Sequence, residues 1–395
     1  MAEITGLTGL RPVGEMLSKI TCPPYDVIKP ASPLEKLLRK NKFSLYHLTL
    51  GKEPLAALQF LKEKGYLLVD QTPCFYVYEQ VYNSQVRRGV LAAVAVEDYA
   101  GGQIIRHEKT FDDKVKGRLA LRQKTGYTFE PVFLFTQADL RTVLDKIVSL
   151  YSPEAEFVSD FMGASELHGI KNRIFRVEEK SREGCLLKDV IASQALYIAD
   201  GHHRYHASLL NQQTHCLAYL CAAADAPILA YNRVINGLVK FAEIKDKLPL
   251  QVVREFKTPP KHHFSLYTRG NAYLLPAQKV PEDVVGRLDC RILEKELYPH
   301  LGLTADLISD PAYFDYYAEN ELAEMKDCVD SGKYDLAVAL APVSITELIA
   351  VADAGIQDPQ IVMPEKSTFF APKILSGIFI YKHIRKIMGW NYVER

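Results

Sequence analysis

The 395-residue chain contains no run of about 18 apolar residues, so no membrane-spanning helix is expected. It has no surplus of either charge, with Lys+Arg and Asp+Glu at 48 each. That balance argues against generic binding to DNA or RNA, and no stretch reads as a helix-turn-helix. Cys-x-x-Cys is absent, and the seven cysteines (Cys22, Cys74, Cys185, Cys216, Cys221, Cys290 and Cys328) are scattered and odd in number. They read as reduced thiols of a cytoplasmic protein, not as a disulfide framework or a zinc knuckle. The opening Met1-Ala2-Glu3-Ile4-Thr5 lacks the basic start and apolar core of a signal peptide, which agrees with a cytoplasmic location. Also missing are Gly-x-x-x-x-Gly-Lys-Ser/Thr, Gly-x-Gly-x-x-Gly and Gly-x-Ser-x-Gly. These absences exclude a Walker-type site, a dinucleotide fingerprint and a hydrolase elbow. There is no internal repeat and no low-complexity tract.

What is present is an ordinary globular composition, 48% apolar and 24% charged, in a chain long enough for two or three domains. Apolar periodicity predicts helices over 34–48, 53–65, 112–126, 138–150, 186–194 and 345–353. Strands are predicted over 73–99 (a hairpin turning at Asn83-Ser84-Gln85), 131–135, 171–177, 216–222, 231–235, 335–341 and 377–381. The mixture predicts an α/β protein with a mixed sheet. A domain boundary near 236–240 divides it into regions 1–236 and 237–395, without a Gly/Ser linker to mark it.

One stretch concentrates chemistry. The apolar run Ala195-Leu196-Tyr197-Ile198-Ala199 suits a buried strand, and Asp200-Gly201 suits a turn. His202-His203-Arg204-Tyr205-His206-Ala207-Ser208-Leu209-Leu210 suits a helix. Such a junction leaves free backbone N–H groups at the positive end of the helix dipole, which favours an anion. The fork of Arg204 suits phosphate or carboxylate. Alternatively, Asp200 is a mere cap, Gly201 serves only the turn, and the histidines satisfy one another. His202 and His206 stand at i, i+4, a metal-ligand spacing, but the Glu of His-Glu-x-x-His is lacking. Mg²⁺ held by Asp200 and substrate phosphates is the other metal reading.

Four further segments have polar content worth weighing. Pro23-Pro24-Tyr25-Asp26 is a rigid loop or the rim of a pocket. His107-Glu108-Lys109-Thr110 is a solvated loop or the source of a general base, Glu108. Met363 to Lys373 carries Lys366 and Lys373, which suit phosphates, and Phe369 and Phe370, which could stack on a base or simply be buried. The charge run Lys114, Lys116, Arg118, Arg122 and Lys124 is a solvated helix face or the lining of a phosphate channel.

Asp200-Gly201-His202-His203-Arg204-Tyr205 resembles the Gly-x-His-Arg type turn of the ParB/sulfiredoxin superfamily, and most closely its free-serine kinase branch. The chain as a whole resembles a bacterial and archaeal family of unknown function (DUF ten-fifteen). The segments that carry this second likeness are Pro23 to Ile28, His107 to Thr110, Tyr197 to Tyr205 and Met363 to Lys373. These resemblances imply a ParB/sulfiredoxin-like core embedded in a larger chain. By the same analogy Gly201, His202, His203 and Arg204 would cradle nucleotide phosphates; the charges of Lys366 and Lys373 make them the candidates to close the site. Asp200 would assist a metal or the substrate hydroxyl, Glu108 would be the base, and His202 would act beside them. One departure is Gly117, where an acidic residue often stands in the family.

The expected function is a nucleotide-dependent phosphotransferase acting on a small hydroxylated metabolite, using ATP or ADP with Mg²⁺. The alternative is a nucleotide-binding or nucleotide-hydrolysing regulatory switch of the ParB type; a third reading is a non-catalytic interaction protein. The expected partners are a nucleotide and a small molecule, with neither membrane nor nucleic acid; a homo-oligomer is compatible with all three readings.

Overall fold

The computed structural model describes residues 2–161, 167–192 and 194–384. The chain forms two compact units. The first holds the described residues up to Arg106, Thr110–Ala226 and those from Pro372 onward; the second holds His107–Lys109 and Pro227–Ala371. This division differs from a single cut near 236–240, for two reasons of strand pairing. The strand Tyr231–Ile235 pairs with Leu336–Leu340 and Phe314–Ala318, which commits it to the second unit. The strand Ile380–Lys382 pairs with Leu7–Pro12, which returns the far end of the chain to the first.

The first unit is built on a mixed twelve-stranded sheet. Its long hairpin joins Leu67–Tyr82 to Gln85–Ala95, with Tyr82 opposite Gln85. Asn83 and Ser84 alone make the turn, with φ of 49° and 62°. Two positive φ angles give the turn a twist that matches that of the strands it joins. From this hairpin the sheet continues through His215–Ala222 and Val132–Thr136 to Leu196–Asp200. Parallel and antiparallel pairings alternate along this path.

Period-2 alternation sets the two faces. Val90, Ala92 and Val94, then Cys216, Ala218 and Leu220, then Val132 and Leu134, join one core cluster with Leu196 and Ile198. Residues of the helices Leu140–Leu150 and Arg182–Ile191 pack into that same cluster. Both helices begin on a side-chain cap, Asp139 accepting from Thr142 N and Ser181 from Gly184 N. The opposite face is aromatic: Phe135 stacks on Tyr197 at 5.2 Å, and Tyr219 meets Phe133 and Tyr78 edge-on. With both faces covered, these strands read as continuous apolar runs, and each fully buried aliphatic side chain contributes about 1.5–3 kcal/mol.

The second unit has a six-stranded antiparallel sheet in the order 251–253, 271–276, 263–268, 336–340, 231–235, 314–318. Ile235, Leu336, Val338 and Leu340 face one core beside Ile292 and Leu293 of the helix Asp289–Glu296. Val234, Ala337 and Ala339 face another beside Met325 and Val329 of the helix Leu322–Asp330. A two-stranded ribbon pairs Ile228–Leu229 with Phe369–Phe370. Among the described residues, no helix is long and apolar enough to cross a membrane.

Candidate functional site

The strand Leu196–Asp200 ends on its carboxylate, and the helix His202–Leu210 starts two residues later. Gly201 makes this abrupt junction with φ 95° and ψ 30°, a left-handed conformation that L side chains rarely adopt. The Tyr205 N–H already bonds to the Gly201 carbonyl at 2.9 Å, so the helix is formed from its first turn. The N–H groups of a helix's first turn have no intrahelical acceptor and lie at the positive end of its dipole.

Asp200 lies between two cations. Oδ2 accepts from Lys373 Nζ at 2.9 Å, and Oδ1 accepts from Arg204 Nη2 at 3.1 Å. Burial opposes ionisation of Asp200. The charges of Lys373 and Arg204, the Lys373 hydrogen bond and His202 outweigh that and hold its carboxyl far below the usual range. Burial would likewise favour a neutral Arg204, but Asp200, Asp26, Glu130 and Tyr25 keep it charged. The Arg204 guanidinium also donates to the Pro131 carbonyl, so it braces the turn from beneath with only 4% of the residue exposed.

Lys373 reaches this place because its backbone is gripped. The Pro372 carbonyl accepts from Arg87 Nη2, and the Lys373 carbonyl accepts from Gln80 Nε2 at 3.1 Å. Arg87 also bonds Gln80, and both are buried. Three residues on, Ser376 donates to Glu130 Oε1 at 3.2 Å.

Glu130 organises the neighbouring wall. Its Oε1 accepts from Tyr25 N at 3.1 Å, and Oε2 faces Arg118 Nη1 at 3.4 Å. The Arg118 guanidinium stands 3.9 Å from the centre of the Tyr25 ring, a close cation–π contact. Burial first, then Asp26, pushes the Tyr25 hydroxyl upward. Arg118 and Arg122 belong to the helix Asp112–Thr125 and turn inward, so the charge run there is more than a solvated face. Arg122 donates to Ser208 at 2.6 Å and Gln213 at 3.1 Å, tying this helix to the one that carries the turn. Burial pulls Arg122 down to about 10. At Gly117 an added Cβ would meet nothing within 4 Å, so the departure from the family's acid is not forced by space.

The histidines separate. His202 is buried at the start of the helix. His203 stacks on Phe111, with ring centres 5.8 Å apart. His206 stacks on Tyr99 at 6.0 Å, and burial and then Arg106 lower its pKa. Among the described residues no third ligating side chain stands with both His202 and His206, which leaves the i, i+4 metal reading without support.

The remaining candidates lie in the second unit. His107 is buried; its Nε2 is 3.9 Å from Glu108 Oε1 and 3.5 Å from Thr368 Oγ1. Lys366, with φ 57°, places its amine 5.4 Å from the centre of the Tyr231 ring. Phe369 and Phe370 are buried in the ribbon, so neither offers a face to a base. The structure therefore joins Asp200, Gly201, His202, Arg204 and Lys373 within one unit, and sets Glu108 and Lys366 in the other. Sequence reasoning missed Glu130, Gln80 and Arg87. The one available signal was a carboxylate inside the otherwise apolar Phe129-Glu130-Pro131-Val132-Phe133.

The family model described as "Protein of unknown function (DUF1015)" matches residues 4–291. No curated protein matches the chain. Among solved structures, free serine kinase in complex with AMP is similar over 70% of this chain and 89% of its own, at 13% identity and a TM-score of 0.36. SbnI with a C-terminal truncation, from Staphylococcus aureus, is similar over 74% of this chain and 87% of its own, at 10% identity and 0.41. A conserved hypothetical protein from Pyrococcus furiosus is similar over 70% and 92%, at 12% and 0.34. At these scores the matches carry no residue-level correspondence to the site.

Proposed function

The chain belongs to the DUF1015 family, and from that premise we propose a nucleotide-dependent phosphotransferase that acts on a small hydroxylated metabolite. The observation that carries this reading is the left-handed Gly201 opening a nine-residue helix, with buried Lys373 2.9 Å from the preceding Asp200. Helix N–H groups and a fixed ammonium are what phosphates require, and phosphoryl transfer depends on positioning and charge neutralisation more than on covalent catalysis. ATP or ADP is the donor, and serine is the acceptor suggested by the likeness of the Asp-Gly-His-His-Arg-Tyr turn.

In this reading the acceptor oxygen attacks the terminal phosphorus. Its proton passes to Glu108, and the bond to the leaving nucleotide breaks with its electron pair on the nucleotide oxygen. The backbone of Gly201 to Arg204 cradles the phosphates, and His202 and His203 stand at that edge. Arg204 acts through the shape and charge of the turn, since its guanidinium is committed to Asp200 and Pro131. The cradle does not require Lys366, which belongs to the second unit. Asp200 does not fit a metal well, because its two oxygens already face Lys373 and Arg204. Mg²⁺, when bound with a nucleotide, would supply charge neutralisation, and Asp200 is not assigned to hold it. The protein is assigned to the cytoplasm, and a homo-oligomer is compatible with this activity without being required by it.

The test is a thermal-shift screen of the full chain with ATP, ADP and CTP, with and without Mg²⁺. A nucleotide at about 100 times its Kd stabilises by about 2.7 kcal/mol. No shift with any nucleotide would overturn the reading. Glu108→Gln is expected to keep the nucleotide-induced shift and to lose phosphorylated product by about 100-fold or more. Unchanged turnover in that variant removes Glu108 from the mechanism. Nucleotide binding with no phosphorylated small molecule, across a panel of hydroxylated acceptors, would favour the regulatory switch.

A further inference from the structure

We infer that the second unit carries its own oxyanion site, built by Arg233 and Lys366 beside the ring of Tyr316, which takes a phosphate or carboxylate group. The second unit buries a cation that its described carboxylates do not balance. Arg233 is 2% exposed, in the middle of the strand Tyr231–Ile235. Among the described residues, no carboxylate pairs with it. Its guanidinium donates to the Tyr231 carbonyl, engages the Tyr298 hydroxyl, and lies 5.5 Å from the centre of the Tyr316 ring. Its Nε has no partner. A buried guanidinium served only by a carbonyl, a hydroxyl and a ring is among the costlier things a fold can keep. Burial pushes the Tyr298 and Tyr316 hydroxyls upward, so neither supplies the missing negative charge.

A second cation stands on the same cluster. Lys366 Nζ is 5.4 Å from the centre of the Tyr231 ring, and that ring meets Tyr316 edge-on at 5.5 Å. Lys366 is not a loose surface lysine. It holds φ 57° in a loop pinned by Ser367 donating to the Pro364 carbonyl at 2.6 Å, and by Cys290 donating to Ser367 at 3.2 Å. Tyr231, Tyr316 and Lys366 are only part-buried, whereas Arg233 is covered. Of the nearby carboxylates, Glu294 is paired with Arg291 at 2.6 Å and Glu365 is exposed on the loop. A planar or tetrahedral oxyanion reaching Nε satisfies that donor and balances the buried charge, and Lys366 supplies a second cation on the part-buried side of the cluster. The residues of this site all belong to the second unit, and it does not depend on the phosphotransferase reading.

The experiment follows the Nε–Hε resonance of Arg233 in the full chain, assigned by its disappearance in Arg233→Lys. Inorganic phosphate and succinate are titrated separately. A saturable shift with either probe supports the site, and the probe that acts names the ligand class. Lys366→Gln is expected to weaken that binding about tenfold, while Gly201→Ala leaves the Arg233 response unchanged. If neither probe moves the resonance, or Lys366→Gln binds as the wild type does, the inference is overturned. Should Arg233→Lys fail to fold, calorimetric titration of wild type against Lys366→Gln makes the same decision.

Discussion

Asp200→Asn is expected to destabilise the protein by about 3 kcal/mol, because it leaves two buried cations facing an amide. Lys373 and Arg204 are 8% and 4% exposed, so water cannot replace the lost charge cheaply. The asparagine oxygen keeps one acceptor, which is why the loss falls at the low end for a broken buried pair. Combining Asp200→Asn with Lys373→Met should recover part of the loss, since the second change removes one of the stranded charges. The pH dependence has a definite sign. Folded Asp200 is held below the usual carboxylate range, so the unfolded chain takes up the proton first. Its contribution is complete above that range and is lost as pH falls through it toward the folded value. Urea titrations at stepwise pH should give Asp200→Asn a flatter acid limb than the wild type. An unchanged acid limb, or a loss under about 1 kcal/mol as for an exposed pair, would show that Asp200 does not anchor the turn.

Gly201→Ala is expected to abolish nucleotide-induced stabilisation and to cost about 2–4 kcal/mol. Two effects add. The backbone must hold φ 95° with a side chain, and the new Cβ would fall 2.8 Å from Arg204 Nε and 3.0 Å from Cζ. The guanidinium would have to shift against its bonds to Asp200 and the Pro131 carbonyl. Gly126→Ala provides the internal control. Gly126 also has a positive φ, 76°, but nothing lies within 4 Å of its added Cβ. It should show the strain alone and keep the nucleotide response. Wild-type nucleotide affinity in Gly201→Ala would remove the turn from the binding site.

The turn was legible because its determinants are local. An apolar run, a glycine and a helix-forming stretch fall within sixteen consecutive residues, Ala195 to Leu210. The hairpin at Asn83-Ser84 was legible for the same reason, and so was the α/β mixture. What could not be read is what arrives from elsewhere in the chain. Lys373 could be suspected as a cation, but its partner Asp200 and its backbone anchors Gln80 and Arg87 are long-range neighbours with no sequence signature. Glu130 gains its meaning only once Tyr25, Arg118 and Ser376 converge on it. Phe369 and Phe370 looked available to a base, and the ribbon with Ile228–Leu229 buries them instead. The boundary near 236–240 failed for a similar reason, since strand pairing, unlike composition, leaves no linker to find.

The return of Pro372 and the following strand to the first unit has a consequence for the order of synthesis. A ribosome completes the whole of Pro227–Ala371 before it makes the lysine that pairs with Asp200. Until then the nascent first unit holds an acidic group beside Arg204 alone, and Gln80 and Arg87 have no Pro372–Lys373 backbone to grip. A chain stalled or cleaved before Lys373 would therefore lack the ion pair at Asp200, however well its earlier strands had paired. Competence at the turn becomes a report that translation has passed through the second unit.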